Sequence, residues 1–180
     1  MNQADVFYYS GHGDFATGGL QSKASLPVYG FTPQVVGNRW RADLDCVVFA
    51  GCSVLNIGDF RAESFVNVRT RIKYWFRKQQ SNNGGSPGLL WEGVGPDYLL
   101  GYCWTAPLDN QGAAQVAQTF ASEINSGSDP VEAWRNANDR NACRNACVID
   151  CSQTPHKFWY WSETTGTAVW TNKVKGVTSW

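Results

Sequence analysis

Residues 45–56, DCVVFAGCSVLN, form an apolar run that stops at a small-residue turn presenting one thiol, Cys52, between Gly51 and Ser53. Residues 5–14, DVFYYSGHGD, repeat the plan with an imidazole, His12 between Gly11 and Gly13. Short apolar runs bounded by glycine predict buried strands, and in a parallel sheet both end on the same edge. Groups carried at the carboxyl ends of such strands share the crevice where open α/β sheets bind ligands. A cysteine and a histidine that meet only through folding are the parts of a thiol-nucleophile site.

Outward from these two runs, the chain reads as alternating strands, loops and helices. Residues 4–9 predict the first strand and residues 46–50 the second. Between them, residues 14–38 are rich in Gly, Ser, Pro and Thr and predict a long loop over the crevice, with a short hairpin around Leu26 to Phe31. From Phe60 to Gln80, Phe65, Val68, Ile72, Trp75 and Phe76 recur at helical spacing, with a basic opposite face that reads as solvated. SNNGGSPG, residues 81–88, is a breaker, and YLLGYCW, residues 98–104, predicts a third buried strand. A helix then runs to about Asn125, capped by Asp109 or Asn110, and Ser128-Asp129-Pro130 opens another that extends as far as Cys147. The tail from Lys157 to Val174 alternates apolar and polar residues about Thr165-Gly166, predicting a β-hairpin over residues 157–180. Its aromatic stripe caps a core, covers a sheet edge or binds a carbohydrate or peptide.

Composition narrows the class. A chain of 180 residues with no internal linker or repeat predicts one domain, residues 1–180, large enough for a real core. Fifteen basic residues cancel fifteen acidic ones, so no global charge calls for nucleic acid or an anionic membrane. No apolar run has the length to span a bilayer. A charged fraction of 17% with nine tryptophans suits a compact protein of extracellular type. Cys143, Cys147 and Cys151 recur every fourth residue, which on a helix places them along one face. Without a CxxC pair, a disulfide between two of the three near a helix end is the ordinary reading, ahead of zinc, and it leans the compartment toward secretion.

The SGHG and GCS turns, in this order and spacing, resemble those of the caspase-fold cysteine peptidases (clan CD), a grouping that includes caspases, metacaspases, legumain, gingipains and separases. FYYSGHG is similar to the histidine motif of metacaspases and separases, and VVFAGCS to the Gly-Cys motif of separases and the CHAT peptidases. Residues 98–138 are similar in layout to the CHAT segment after the catalytic cysteine: a strand ending in Trp, a Pro and an Asp, a helix, then a G-x-x-P-x-E-A passage, here GSDPVEA from Gly127. The resemblance covers residues 4–140 and leaves the last forty unmatched. It implies an α/β fold, a caspase/haemoglobinase-like three-layer sandwich with a largely parallel central sheet and helices on both faces. In that family strands precede the histidine strand, and the chain here starts almost on it. An upstream processed segment or a partner chain would then complete the sheet.

The resemblance also assigns roles. Cys52 is implied as the nucleophile and His12 as the proton donor to the leaving amine, with the backbone N–H groups of Gly13 and Cys52 holding the oxyanion. No third residue, metal or organic cofactor is required, and the substrate is a peptide or protein. Gly51, Trp104 and Asp109 are implied in substrate binding. Metacaspases place an Asp two residues before the cysteine to bind a basic side chain; Ala50 stands there here, so that specificity does not transfer. Asp109 either supplies such an acid or caps the helix that follows it, and Asp14 adjoins His12. A protein of the same fold that has no catalysis, and that binds through its aromatic hairpin and an open sheet edge, is the alternative.

Overall fold

The computed structural model describes residues 6–13, 19–21, 44–55, 96–143, 145–152, 157–161 and 170–171. Among these, six strands form one sheet, in spatial order β1 (Val6–Ser10), β4 (Cys46–Ala50), β5 (Tyr98–Tyr102), β6 (Ala146–Asp150), β7 (Lys157–Trp161) and β8 (Trp170–Thr171). Two residues each of β2 (His12–Gly13) and β3 (Leu20–Gln21) pair separately in an antiparallel ladder. Strands β1, β4 and β5 are mutually parallel, and from β6 onward each strand runs antiparallel to its neighbour. The sheet is thus α/β in character at one half and a meander at the other.

The parallel half follows from its sequence. CVVFA in β4 has no charged residue, and Cys46, Val47, Val48 and Phe49 are all fully buried, which requires cover on both faces. Alternation then divides the core. Cys46, Val48, Leu100, Tyr102, Ala146 and Val148 face one layer, while Val47, Phe49, Leu99, Cys147 and Ile149 face the other with Leu20, Val54 and Leu55.

The first layer is a helical hairpin, α1 (Ala113–Asn125) packed on α2 (Pro130–Arg140). Val116 and Phe120 from α1 and Ala133, Trp134 and Ala137 from α2 meet the sheet. Trp134 is buried edge-on between Tyr102, with ring centroids 5.3 Å apart, and Phe120, at 5.7 Å. Beneath it the Tyr102 hydroxyl donates to Asn138 Oδ1 at 2.8 Å, and Asn138 Nδ2 donates to the Trp134 carbonyl at 2.8 Å. Two helices between β5 and β6 return the chain to the edge it left, so β6 descends beside β5 instead of rising parallel to it.

Three expectations are corrected. The helix opened by Pro130 does end its first turn on Asp129, whose carboxylate accepts the Val131 and Glu132 N–H groups, but it stops at Arg140 and not at Cys147. Cys143 lies beyond the helix, Cys147 is central in β6 and Cys151 follows that strand, so the three do not line a helical face. All six cysteines are free thiols, and no bridge joins two of these three. The third correction is at Asp109. It opens a 3-10 turn, Asp109–Gln111, with an exposed side chain that caps nothing, and α1 begins only after Gly112.

The hairpin expected over residues 157–180 pairs Tyr160 with Thr171 and Trp161 with Trp170. Its first strand also pairs with β6, so it continues the main sheet. The expected helix at residues 60–80, the hairpin at residues 26–31, and Asp14 lie outside the described residues. Among the described residues, no helix is long and apolar enough to cross a membrane.

Candidate active site

The two glycine-rich turns leave the same edge of the sheet. β1 and β4 are parallel neighbours in a register that sets Ser10 against Ala50, so each turn begins at the same height. The Gly11 N–H donates to the Ala50 carbonyl at 3.3 Å and carries the pairing one step past the strand. Beyond it, the backbones pack without room for side chains. A Cβ placed on Gly13 would overlap the Cys52 carbonyl oxygen, and one placed on Gly51 would lie 3.0 Å from the Gly11 carbonyl oxygen. Glycine at these two positions is therefore what lets the His12 turn lie directly on the Cys52 turn.

Each turn is held from a second side. The Tyr9 hydroxyl reaches over Gly11 and donates to the His12 carbonyl at 2.9 Å. His12 is exposed, and its residue pairs with Gln21 across the β2–β3 ladder. On the other strand, the Ser53 N–H donates to the Trp104 carbonyl at 2.6 Å, and the Leu55 N–H to the Tyr102 carbonyl at 3.3 Å. Ser53 takes a left-handed conformation, φ 57°, in the step immediately after Cys52. That conformation is costly for a residue with a Cβ and persists only where the surroundings impose it. Here the two bonds to the end of β5 impose it.

Cys52 is half-buried, and its sulfur accepts the Ala106 N–H at 3.3 Å. This bond fixes the side chain against the connection that leaves β5. The same connection borders a cleft of about 210 Å³ lined by residues 105–107, Gln111, Ala142, Cys143 and Asn145. Trp104, half-buried, precedes it, while Asp109 is exposed and is not part of the cleft wall. The structure thus brings His12, Gly13, Gly51, Cys52 and the Trp104 backbone into one region and leaves Asp109 at its margin.

Tyr9, Ser53 and Ala106 are the residues that the sequence reading missed. Tyr9 had a signal, as an amphipathic side chain three residues before the histidine in a strand ending in Gly. Ser53 and Ala106 had none, because their contacts are made by backbone groups. Among the described residues, no three His, Cys, Asp or Glu side chains are grouped to hold a metal ion. Compared with known proteins, the chain matches no family model, no curated protein and no solved structure.

Four other thiols are raised above the ordinary thiol range. Burial pushes the Cys46, Cys147 and Cys151 thiols up, with Asp45 and Asp129 adding to Cys46, Cys103 to Cys147, and Asp150 and Asp97 to Cys151. Burial alone raises Cys143. Since the thiolate is the form that alkylates, Cys52 is expected to react with iodoacetamide faster than these four in the native protein. Peptide mapping after brief labelling checks this, and equal modification of Cys46 or Cys143 would count against it.

Proposed function

We propose that this chain is a cysteine endopeptidase that cleaves peptide bonds through His12 and Cys52. One observation carries the reading. The Gly-His-Gly and Gly-Cys-Ser turns leave adjacent parallel strands at the same level and lie backbone against backbone. Chemistry that needs an imidazole beside a thiol has no other such pairing among the described residues. The reading takes the sheet as the core of a caspase/haemoglobinase-like sandwich, with the α1–α2 hairpin as one of its outer layers.

In this mechanism the Cys52 thiol passes its proton to the His12 imidazole, and its sulfur attacks the scissile carbonyl to form a C–S bond. The carbonyl electron pair moves to oxygen, where the N–H groups of Gly13 and Cys52 hold the charge. As the tetrahedral species collapses, the C–N bond breaks and His12 delivers a proton to the leaving amine. Water then adds to the thioester, and its hydrolysis releases the acid and regenerates the thiol. Gly51 keeps the Gly13 nitrogen uncrowded, since a Cβ there would stand 3.3 Å from it. The substrate, a peptide or protein, belongs to the same proposal.

Labelling by a peptidyl electrophile tests it. The full chain is expected to be modified at Cys52 alone, and His12→Ala is expected to slow that modification by about a hundredfold, the usual scale of a lost proton-transfer group. Modification that ignores His12→Ala, or none at all, would favour the alternative of a non-catalytic binding protein.

A further inference from the structure

The peptide unit that joins His12 to Gly13 is held at both ends. Its oxygen, the His12 carbonyl, accepts a hydrogen bond from the Tyr9 hydroxyl at 2.9 Å. Its nitrogen, that of Gly13, lies against the cysteine turn, 3.3 Å from the place where a Cβ on Gly51 would stand. We infer that Tyr9 is a positioning residue of this site: by holding the His12 carbonyl, its hydroxyl aims the Gly13 N–H at the oxyanion that forms beside Cys52. This rests on the peptidase reading and deepens it.

The rigidity of the peptide bond carries the argument. The atoms from the His12 Cα to the Gly13 Cα lie in one plane, and in a trans unit the C=O and N–H bonds point in opposite directions. That plane turns through ψ of His12 and φ of Gly13, and Gly13 has no Cβ to restrict its φ. A bond to the oxygen opposes the rotation from the far end of the same unit. Linked hydrogen bonds also polarise one another, so a carbonyl that accepts from Tyr9 makes its N–H a stronger donor.

Tyr9 is itself placed firmly enough to do this. It is half-buried and its ring packs on the core layer that contains Phe49 and Val54, with Tyr9 paired to Phe49 in the register of β1 and β4. From there the hydroxyl passes over Gly11. A Cβ on Gly11 would stand 2.5 Å from Tyr9 Oη and 2.9 Å from Cζ, and its three nearest atoms all belong to Tyr9. Glycine at this position leaves room for that one hydroxyl.

An oxyanion donor acts only once the scissile carbon becomes tetrahedral, so the contribution of Tyr9 is confined to that step. Alkylation of Cys52 by iodoacetamide is different. There the sulfur displaces iodide from a methylene carbon, and no oxyanion forms.

Tyr9→Phe in the full chain separates the two reactions, because it keeps the ring and removes the hydroxyl. On a peptide that the wild type cleaves, kcat is expected to fall about tenfold, the scale of one hydrogen bond felt in the transition state, with KM unchanged. The rate of Cys52 alkylation by iodoacetamide is expected to stay at the wild-type value, which a loss of folding would not allow. Gly11→Ala reaches the same hydroxyl from the other side, by displacing it, and is expected to give the same split. The double variant is expected to lose no more than either single one, since both remove one bond. Undiminished kcat in Tyr9→Phe, a loss matched by an equal loss of alkylation rate, or losses that multiply in the double variant overturn the role of Tyr9 and leave the peptidase reading standing. A wild type that cleaves nothing in a protein-derived peptide pool overturns both.

Discussion

On the proposed peptidase reading, Cys52→Ser and Cys52→Ala are each expected to lower peptide-bond hydrolysis by about 10⁴-fold or more, and to differ in what they do to the fold. The kinetic loss is common to both because neither replacement leaves a competent nucleophile, and removing the nucleophile of a covalent mechanism leaves only binding and oxyanion stabilisation. The structural contrast comes from the Ala106 N–H, which donates to Cys52 Sγ. Serine retains an acceptor at that position. Alanine leaves a half-buried backbone N–H without its partner, at a cost of about 1 kcal/mol. A denaturation midpoint below that of Cys52→Ser is therefore expected for Cys52→Ala, with no difference in residual activity. Hydrolysis that survives in both variants, measured on a protein-derived peptide pool, would remove Cys52 from the mechanism.

The parts of the fold that were legible in the sequence are those in which a run of apolar residues admits one interpretation. β1, β4 and β5 fall within runs that alternation or continuous hydrophobicity marks as strands, and Asp129-Pro130 marks the start of α2 by a cap and an N1 proline. β6 was hidden because a four-residue spacing satisfies both periods. Residues four apart share a helix face approximately and a strand face strictly, so Cys147 and Cys151 fit either reading. The structure puts both against the same side of the sheet, as a strand requires, and Cys143 against the other. At Asp109 the residue type suggested a cap, yet the helix waits for Gly112, φ 97°, and the acid is spent on an exposed 3-10 turn.

The site was legible only as two separate turns. That His12 and Cys52 sit at strand ends follows from the pattern; that their turns touch depends on β1 and β4 being neighbours in one register, which is a property of the sheet. The cleft was beyond reach for the same reason. Its walls come from connections forty residues apart in the chain, joined by the bond between Asn145 and Thr105. Asn at a left-handed position is a familiar combination, but nothing in residues 141–145 announces that this one closes a pocket.

Gly13→Ala is expected to damage activity far more than any other single methyl group added near the site. A Cβ there overlaps the Cys52 carbonyl oxygen and also presses on Val54 Cγ2 at 2.5 Å. Val54 is buried in the core and the Cys52 carbonyl belongs to a turn bonded at both Ser53 and Leu55, so neither neighbour can yield cheaply. Relief has to come from the His12 turn moving off. Displacement by about 1 Å is enough to cost roughly a hundredfold in a reaction that depends on aligned groups, and the overpacking itself destabilises by about 1–3 kcal/mol. Gly127→Ala is the control. Gly127 has φ 85° in the turn between α1 and α2, with no atom within 4 Å of an added Cβ. It suffers the backbone penalty of about 1–2 kcal/mol for an alanine in the left-handed region and no steric one. Stability is therefore expected to fall in both variants, by similar amounts, while turnover falls only in Gly13→Ala. Wild-type turnover by Gly13→Ala, in protein shown to be folded by its denaturation midpoint, would mean that contact between the two turns is not what aligns His12 with Cys52.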